Sequence, residues 1–206
     1  MIKNSEYIIS FILIFILGCS NNSIIDEKDI FRYNEHSNIS SLDPAFASTL
    51  RNIWPVNQLF NGLVQLDDSL NIKPDLAKKW RISQNGINYI FTIKKNIPFH
   101  YSNVFGKDSI RNVNAYDFEY SFERLKDPKL GSPGSWVLNN VEDFKATNDS
   151  TFTIKLRNPF AAFLGILSMK YCSVIPKEAV DFYGSKFGKN PIGTGPFKFK
   201  RWEENI

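Results

Sequence analysis

Two cysteines and two histidines in 206 residues leave little material for thiol or metal chemistry. His36 and His100 stand in no H-x-x-x-H spacing and have no cysteine beside them, which disfavours a structural zinc site. No C-x-x-C pair occurs, and neither the serine elbow G-x-S-x-G nor the phosphate loop G-x-x-x-x-G-K-[ST] is present. Gly193-Thr194-Gly195-Pro196 is a faint echo of a phosphate loop. Pro196 removes a backbone donor there and no helix follows, so that segment is a poor phosphate cradle. Basic residues come in pairs, such as Lys78-Lys79 and Lys94-Lys95, and never in a run of five. With a net charge of only +4, no nucleic-acid footprint is visible. No metal, cofactor or catalytic constellation is expected. The carboxylates Asp117, Glu119 and Glu123 read as a solvated helix face with Lys and Arg nearby.

What the chain does have is apolar mass: 43% hydrophobic residues and 18 Phe, against 22% charged. That balance describes a globular protein with a packed core, and Ile and Phe alternating with polar residues favour strands. At the N-terminus, Lys3 precedes the run Tyr7 to Leu17, eleven residues interrupted only by Ser10. A bilayer span needs about 20 apolar residues, so this run suits the core of a signal peptide. It ends in Ile16-Leu17-Gly18-Cys19 and a polar stretch, Ser20-Asn21-Asn22-Ser23. The order resembles a bacterial lipobox, in which the cysteine is lipidated and becomes the new terminus. Cys19 used in this way leaves Cys172 as the remaining thiol, with no disulfide possible. Cys172 sits in the apolar stretch Tyr171-Cys172-Ser173-Val174-Ile175 and is expected to be a small core residue.

Further along, Asp29-Ile30-Phe31-Arg32-Tyr33 is β-prone and Ser41-Leu42-Asp43-Pro44 is a turn signal. Leu50, Ile53, Trp54, Leu59, Phe60 and Leu63 have helical spacing, which Pro55 is expected to kink or split. Leu63 to Leu66 reads as a strand. Two hairpins follow. One runs from Trp80 through the Asn85-Gly86 turn to Tyr89, Phe91 and Ile93; the other joins Val141–Ala146 to Phe152, Ile154 and Leu156 through Asn148-Asp149. Both second strands contain Phe-Thr-Ile-Lys, at 91–94 and 152–155, read as two similar solutions to one half-buried strand. Between the hairpins, Asn114 caps a helix whose apolar face is Phe118, Phe122 and Leu125, and which stops at Asp127-Pro128. Gly131 to Gly134 is a loop. Phe160–Leu167 and Pro176–Tyr183 read as helices, and Phe197–Trp202 as an alternating strand left without a following element to cover it.

Several of these segments, in order, resemble the extracytoplasmic solute-binding proteins of ABC transporters, in the dipeptide- and oligopeptide-binding family. They are Ser41-Leu42-Asp43-Pro44; Leu59-Phe60-Asn61-Gly62-Leu63-Val64; Ile72 to Trp80 with its hairpin; Ile97-Pro98-Phe99-His100; Ala115 to Leu125; Val174 to Val180; and Asn190 to Phe197. Their order across residues 30–202 carries the resemblance. After His100 the family usually continues Asp-Gly, where this chain has Tyr101-Ser102-Asn103.

The resemblance implies a mixed α+β and α/β fold, the N-terminal part of a type II two-lobe periplasmic-binding-protein architecture. It implies a leader at 1–18, a tether at 19–28, the first part of lobe one at 29–46, an inserted extra domain at 47–160 and a return to lobe one at 161–206. Family members are more than twice as long, so this chain reads as a fragment without the second lobe. The implied activity is binding, not catalysis: a peptide or other small solute, held between closing lobes and passed to an ABC permease, by a protein lipid-anchored at a cell or outer membrane and facing the periplasm or exterior. The family's lobe-one ligand contacts fall near Asn38, Ile39 and Ser40 and near Gly134, Ser135 and Trp136. A surface lipoprotein with a structural or adhesive role, and an enzyme built on the same scaffold, stay open as alternatives.

Overall fold

Asn85 and Gly86 make the turn that sets the register of the main sheet. Gly86 takes a left-handed φ of 68°, and the Asn85 side-chain oxygen accepts from the Ser83 hydroxyl and the Ile87 N–H. The turn joins β3 (Ala77–Ile82) to β4 (Asn88–Ile93). The second hairpin joins β5 (Val141–Asn148) to β6 (Thr151–Leu156). The four strands form an antiparallel sheet in the order β3-β4-β6-β5. The Phe-Thr-Ile-Lys echo is explained here: its two copies lie in the central pair, with Phe91 opposite Phe152 and Thr92 opposite Thr151. One face of that pair must be apolar along both strands, so both strands carry the same alternation.

The structure, a computed structural model, describes residues 38–203; the expected leader, Cys19, the strand at 29–33 and His36 lie outside the described residues.

Tyr89, Phe91, Ile93, Phe152, Ile154 and Leu156 are buried, and helix α2 (Ala115–Lys126) packs on β5 and β6. Phe122 meets Phe152 edge to face, with ring centroids 5.3 Å apart, and Phe118 lies 5.9 Å from the same ring. Each Phe so enclosed contributes about 1.5–3 kcal/mol of burial. The helix starts at a capping box: Asn114 accepts from the Asp117 N–H while Asp117 accepts from the Asn114 N–H. It stops where Pro128 forces Asp127 into an extended conformation.

Ahead of the sheet stand helix α1 (Leu50–Leu59) and the short hairpin of β1 (Val64–Leu66) with β2 (Ile72–Pro74). The expected break at Pro55 does not occur: α1 is one ten-residue helix with Pro55 inside it. The proline leaves the Arg51 carbonyl without its i+4 donor, a loss that burial of Asn52, Val56 and Leu59 on the inner face outweighs. Leu50 and Trp54, placed on the helical stripe by spacing, are 70% and 54% exposed. Strand β2, with its terminal Pro74, has no counterpart in the sequence reading.

After the sheet come α3 (Phe163–Leu167) and α4 (Lys177–Tyr183), the latter entered through Pro176; α3 is shorter than the stretch from Phe160 suggested. No strand forms at Phe197–Trp202. A strand exists only through ladder partners, and here Gly195 and Phe197 instead donate to the Leu59 and Gln58 carbonyls at 2.9 and 3.0 Å, satisfying the open C-terminal end of α1. Gly193 and Gly195 allow this approach, since a Cβ on either would lie 2.0 or 2.3 Å from a backbone oxygen of Leu59 or Gln58. Among the described residues no helix is long and apolar enough to cross a membrane.

Candidate functional site

The 3-10 turn Pro44–Phe46 is the hub from which both predicted contact clusters hang. Asp43 caps it, its Oδ1 accepting from the Ala45 N–H at 3.0 Å. The same buried carboxylate receives both guanidinium nitrogens of Arg124, at 3.1 and 2.6 Å, so α2 is clamped to the turn. A bidentate pair of this kind fixes orientation as well as charge.

On one side of the turn, Asn52 lies on the inner face of α1 and is 3% exposed. Its Oδ1 accepts from the Ser40 N–H at 3.1 Å, and its Nδ2 donates to Ser40 Oγ at 2.8 Å and to the Phe46 carbonyl at 3.3 Å. Ser40 is thereby held at both backbone and side chain. Ile39 packs partly into the core, and Asn38 is exposed. On the other side, Ser132 Oγ donates to the Ala45 carbonyl at 2.6 Å and accepts from the Gly134 N–H at 3.0 Å. Gly134 is buried against Tyr171, where a Cβ would come within 2.1 Å of the ring. Beyond it Ser135 is exposed, and Trp136 is 46% exposed.

A continuous run of hydrogen bonds therefore joins Ser40 to Gly134 through Asn52, the turn and Ser132. The residues holding the two clusters together were not legible as site residues. Asn52 carried one signal: a polar side chain sharing the apolar stripe with Val56 and Leu59. The pairing of Asp43 with Arg124, 81 positions apart, carried none.

The carboxylates expected on a solvated face need correcting. Asp117 is buried, receiving both Arg111 guanidinium nitrogens at 2.9 and 2.8 Å in addition to the capping bond. Glu119 accepts from the Ala146 N–H of β5 at 3.2 Å. Only Glu123 stands exposed. Burial raises the Asp117 carboxyl above the ordinary carboxylate value, with Arg111 opposing the rise. Among the described residues no three His, Cys, Asp or Glu side chains group as metal ligands would. Around the turn the chain offers neutral hydrogen-bonding groups, main chain and one aromatic wall, which is the equipment of a binding surface.

Residues 71–205 match the model of the family described as bacterial extracellular solute-binding proteins, family 5 Middle. The glutathione-binding protein GsiB of Shigella flexneri is 28% identical over 168 residues, covering 82% of this chain and 31% of that relative. Among solved structures, the periplasmic binding protein DppA of Helicobacter pylori, in complex with the peptide STSA, is 30% identical. It aligns with a TM-score of 0.72 over 81% of this chain and 35% of its own. NikZ of Campylobacter jejuni, in complex with Ni(L-His), is 32% identical with a TM-score of 0.70, over 82% of this chain and 32% of its own. The chain thus spans about a third of the length of the relatives it matches.

Proposed function

Because the chain belongs to family 5 of the bacterial extracellular solute-binding proteins, we propose that it carries the lobe-one ligand face of the binding component of an ABC importer. Asn38, Ile39 and Ser40 form one side of that face and Gly134, Ser135 and Trp136 the other. The observation that carries the reading is the hydrogen-bonded run from Ser40 through Asn52 and the Pro44–Phe46 turn to Ser132 and Gly134. It makes the two clusters parts of one rigid frame, as a preorganised binding surface requires. Residues 29–46 and 161–206 belong to lobe one in this reading, and 47–160 to an inserted domain. The solute is a peptide or a molecule of similar size. Extended main chain would hold it as in strand addition, an opposing lobe would close over it, and the closed form would dock on a permease.

Cys19 is the proposed lipid attachment point, holding the protein at a membrane on the extracytoplasmic side. Each buried acyl CH₂ is worth about 0.8 kcal/mol, so two or more chains anchor stably. Labelled palmitate incorporated into the protein and lost in Cys19→Ala supports this anchor; equal incorporation in the variant overturns it.

Isothermal titration against di- to tetrapeptides, with and without a second lobe supplied from a relative, tests the binding role. Binding is expected only when both lobes are present, and Trp136→Ala should weaken it about tenfold. Tight binding by the chain alone overturns the two-lobe mechanism, and no binding in either arm overturns the assignment.

A further inference from the structure

The main sheet has one face packed and one face bare. Helix α2 lies on the Phe152 side, through Phe118 and Phe122. Helix α3 meets the same side, where Phe163 contacts Tyr89 with ring centroids 5.1 Å apart. Side chains alternate along a strand, so the residues between these belong to the other face. There the ladder sets Arg81, Ile90, Thr153 and Lys145 in one cross-strand row, with Lys79 in the row on one side of it and Lys155 in the row on the other. All four cations are exposed, and Ile90 between them is 44% exposed.

The charge on that face is uneven. Lys155 is paired with Glu142 at 2.9 Å and stands opposite Asp143 in the ladder, so its end of the sheet is neutralised. Among the described residues, Lys79, Arg81 and Lys145 have no carboxylate partner. Three cations on a rigid sheet, around an exposed isoleucine, are charge without a counterpart inside the fold. Arg81 and Lys145 lie on the two edge strands of the four, three strand spacings apart, or about 14 Å. No single small anion spans that distance, whereas a planar array of phosphates meets all three cations at once.

We propose that this bare face docks on the surface of an anionic bilayer, with Lys79, Arg81 and Lys145 against lipid phosphates and Ile90 in the headgroup layer. The proposal rests on the Cys19 anchor, which brings a bilayer within reach. Fully extended, the 19 residues from Cys19 to Ser37 span at most about 65 Å. That length lets any face of the folded part meet the membrane, so charge selects which one does. A lipid chain and a basic patch are each a weak signal, and together they anchor stably. The face is turned away from α2, which Arg124 clamps to the Pro44–Phe46 turn, so docking leaves the ligand face open. A second copy is a poor occupant, since two such faces would set cations against cations.

Lysine acetylation of the full chain at low reagent dose, read residue by residue by mass spectrometry, tests the docking. The chain is bound either to phosphatidylcholine vesicles or to vesicles containing about 30% phosphatidylglycerol. Lys79 and Lys145 should react about fivefold more slowly on the anionic vesicles. Lys177, on α4 at the side of α2, should react equally on both. Salt at about 0.5 M should erase the difference. Arg81→Glu, at an exposed position where folding is not at risk, should erase it as well. Equal rates on the two vesicles, or an unchanged pattern in R81E, overturns the proposal. Equal slowing of Lys177 overturns it too, because that is adsorption without a preferred face. Soluble polyphosphate that shields the same lysines better than the anionic vesicles do overturns the bilayer as occupant. Shielding that persists when Cys19 takes no palmitate supports the docking face and overturns the anchor alone. Shielding without peptide binding in the two-lobed assembly supports the face and overturns the ligand-face reading alone.

Discussion

The Nε2–H of His100 donates to the Gly195 carbonyl at 2.8 Å, while the His100 backbone N–H donates to Gly193 at the same distance. One residue therefore holds both glycines that let the 193–197 segment lie against the end of α1. A carbonyl only accepts, so the proton sits on Nε2, and Nδ1 is left buried without a partner.

Acid should loosen this staple. Burial pushes the imidazole below its ordinary value of 6.5, Lys198 adds to the shift, and the Gly195 carbonyl opposes it. In the window below 6.5 and above the lower folded value, the unfolded chain binds more protons than the folded one. The contribution is fully present above the unfolded value and is lost as pH falls through the folded one. Melting curves between about pH 5 and 7 should therefore slope less steeply in His100→Gln than in the parent. Parallel slopes would assign the acid sensitivity elsewhere.

The Arg111 cluster separates a buried contact from an exposed one. Arg111 binds Asp117 and also Glu178, the latter at 2.7 Å, but the Asp117 side chain is 7% exposed and that of Glu178 is 40%. Asp117→Asn leaves the half-buried guanidinium with only the more exposed Glu178 as its charged partner and weakens the capping box, which should cost about 3 kcal/mol in urea unfolding. Glu178→Gln should cost no more than about 1 kcal/mol. Equal losses would show that Glu178 and not the cap anchors the arginine.

How much of this was legible in the sequence depends on how local the cause is. The Asn114 helix cap, both hairpins, the turn at Asp43-Pro44 and the stop at Pro128 are set by residues within a few positions of one another, and the structure reproduces them. What was misread depends on contacts that spacing alone does not display. Asp117 looked like a surface carboxylate, yet Arg111, six positions upstream in the segment leading into the helix, folds back onto it. Pro55 looked like a break because the burial that holds α1 together comes from tertiary packing. Phe197–Trp202 alternates as a strand does, but alternation supplies no ladder partner. For the candidate site the six contact positions came from family resemblance, whereas the Asn52 and Ser132 bonds that frame them are visible only in three dimensions.

The glycines at 193 and 195 should tolerate nothing larger. Gly193→Ala or Gly195→Ala would drive a Cβ into backbone oxygen, which cannot swing aside as a side chain can, and each should cost about 2 kcal/mol or more. Gly165, inside α3, has open space around its Cβ position. Gly165→Ala should raise stability by about 0.5–1 kcal/mol through helix propensity. Comparable losses at all three positions in thermal melts would contradict this account of the α1 cap.

Cys172 supplies a probe of the core. It is fully buried, in a segment that lies against Asn61 and Gly62 just ahead of β1, with the Val174 N–H donating to the Asn61 carbonyl at 2.9 Å. Burial pushes its thiol up to about 12. At pH 8 that leaves about one molecule in ten thousand as thiolate, and the sulfur is out of reach of a reagent as well. Alkylation by iodoacetamide, read by mass spectrometry on the peptide containing Cys172, should therefore proceed only through opening of the fold. Its rate should rise as urea is added, in step with the unfolded fraction, and should rise in Asp117→Asn even without denaturant. Rapid modification of a chain that keeps its near-ultraviolet circular dichroism would mean the Cys172 segment opens locally, and would detach it from the core to which its burial assigns it.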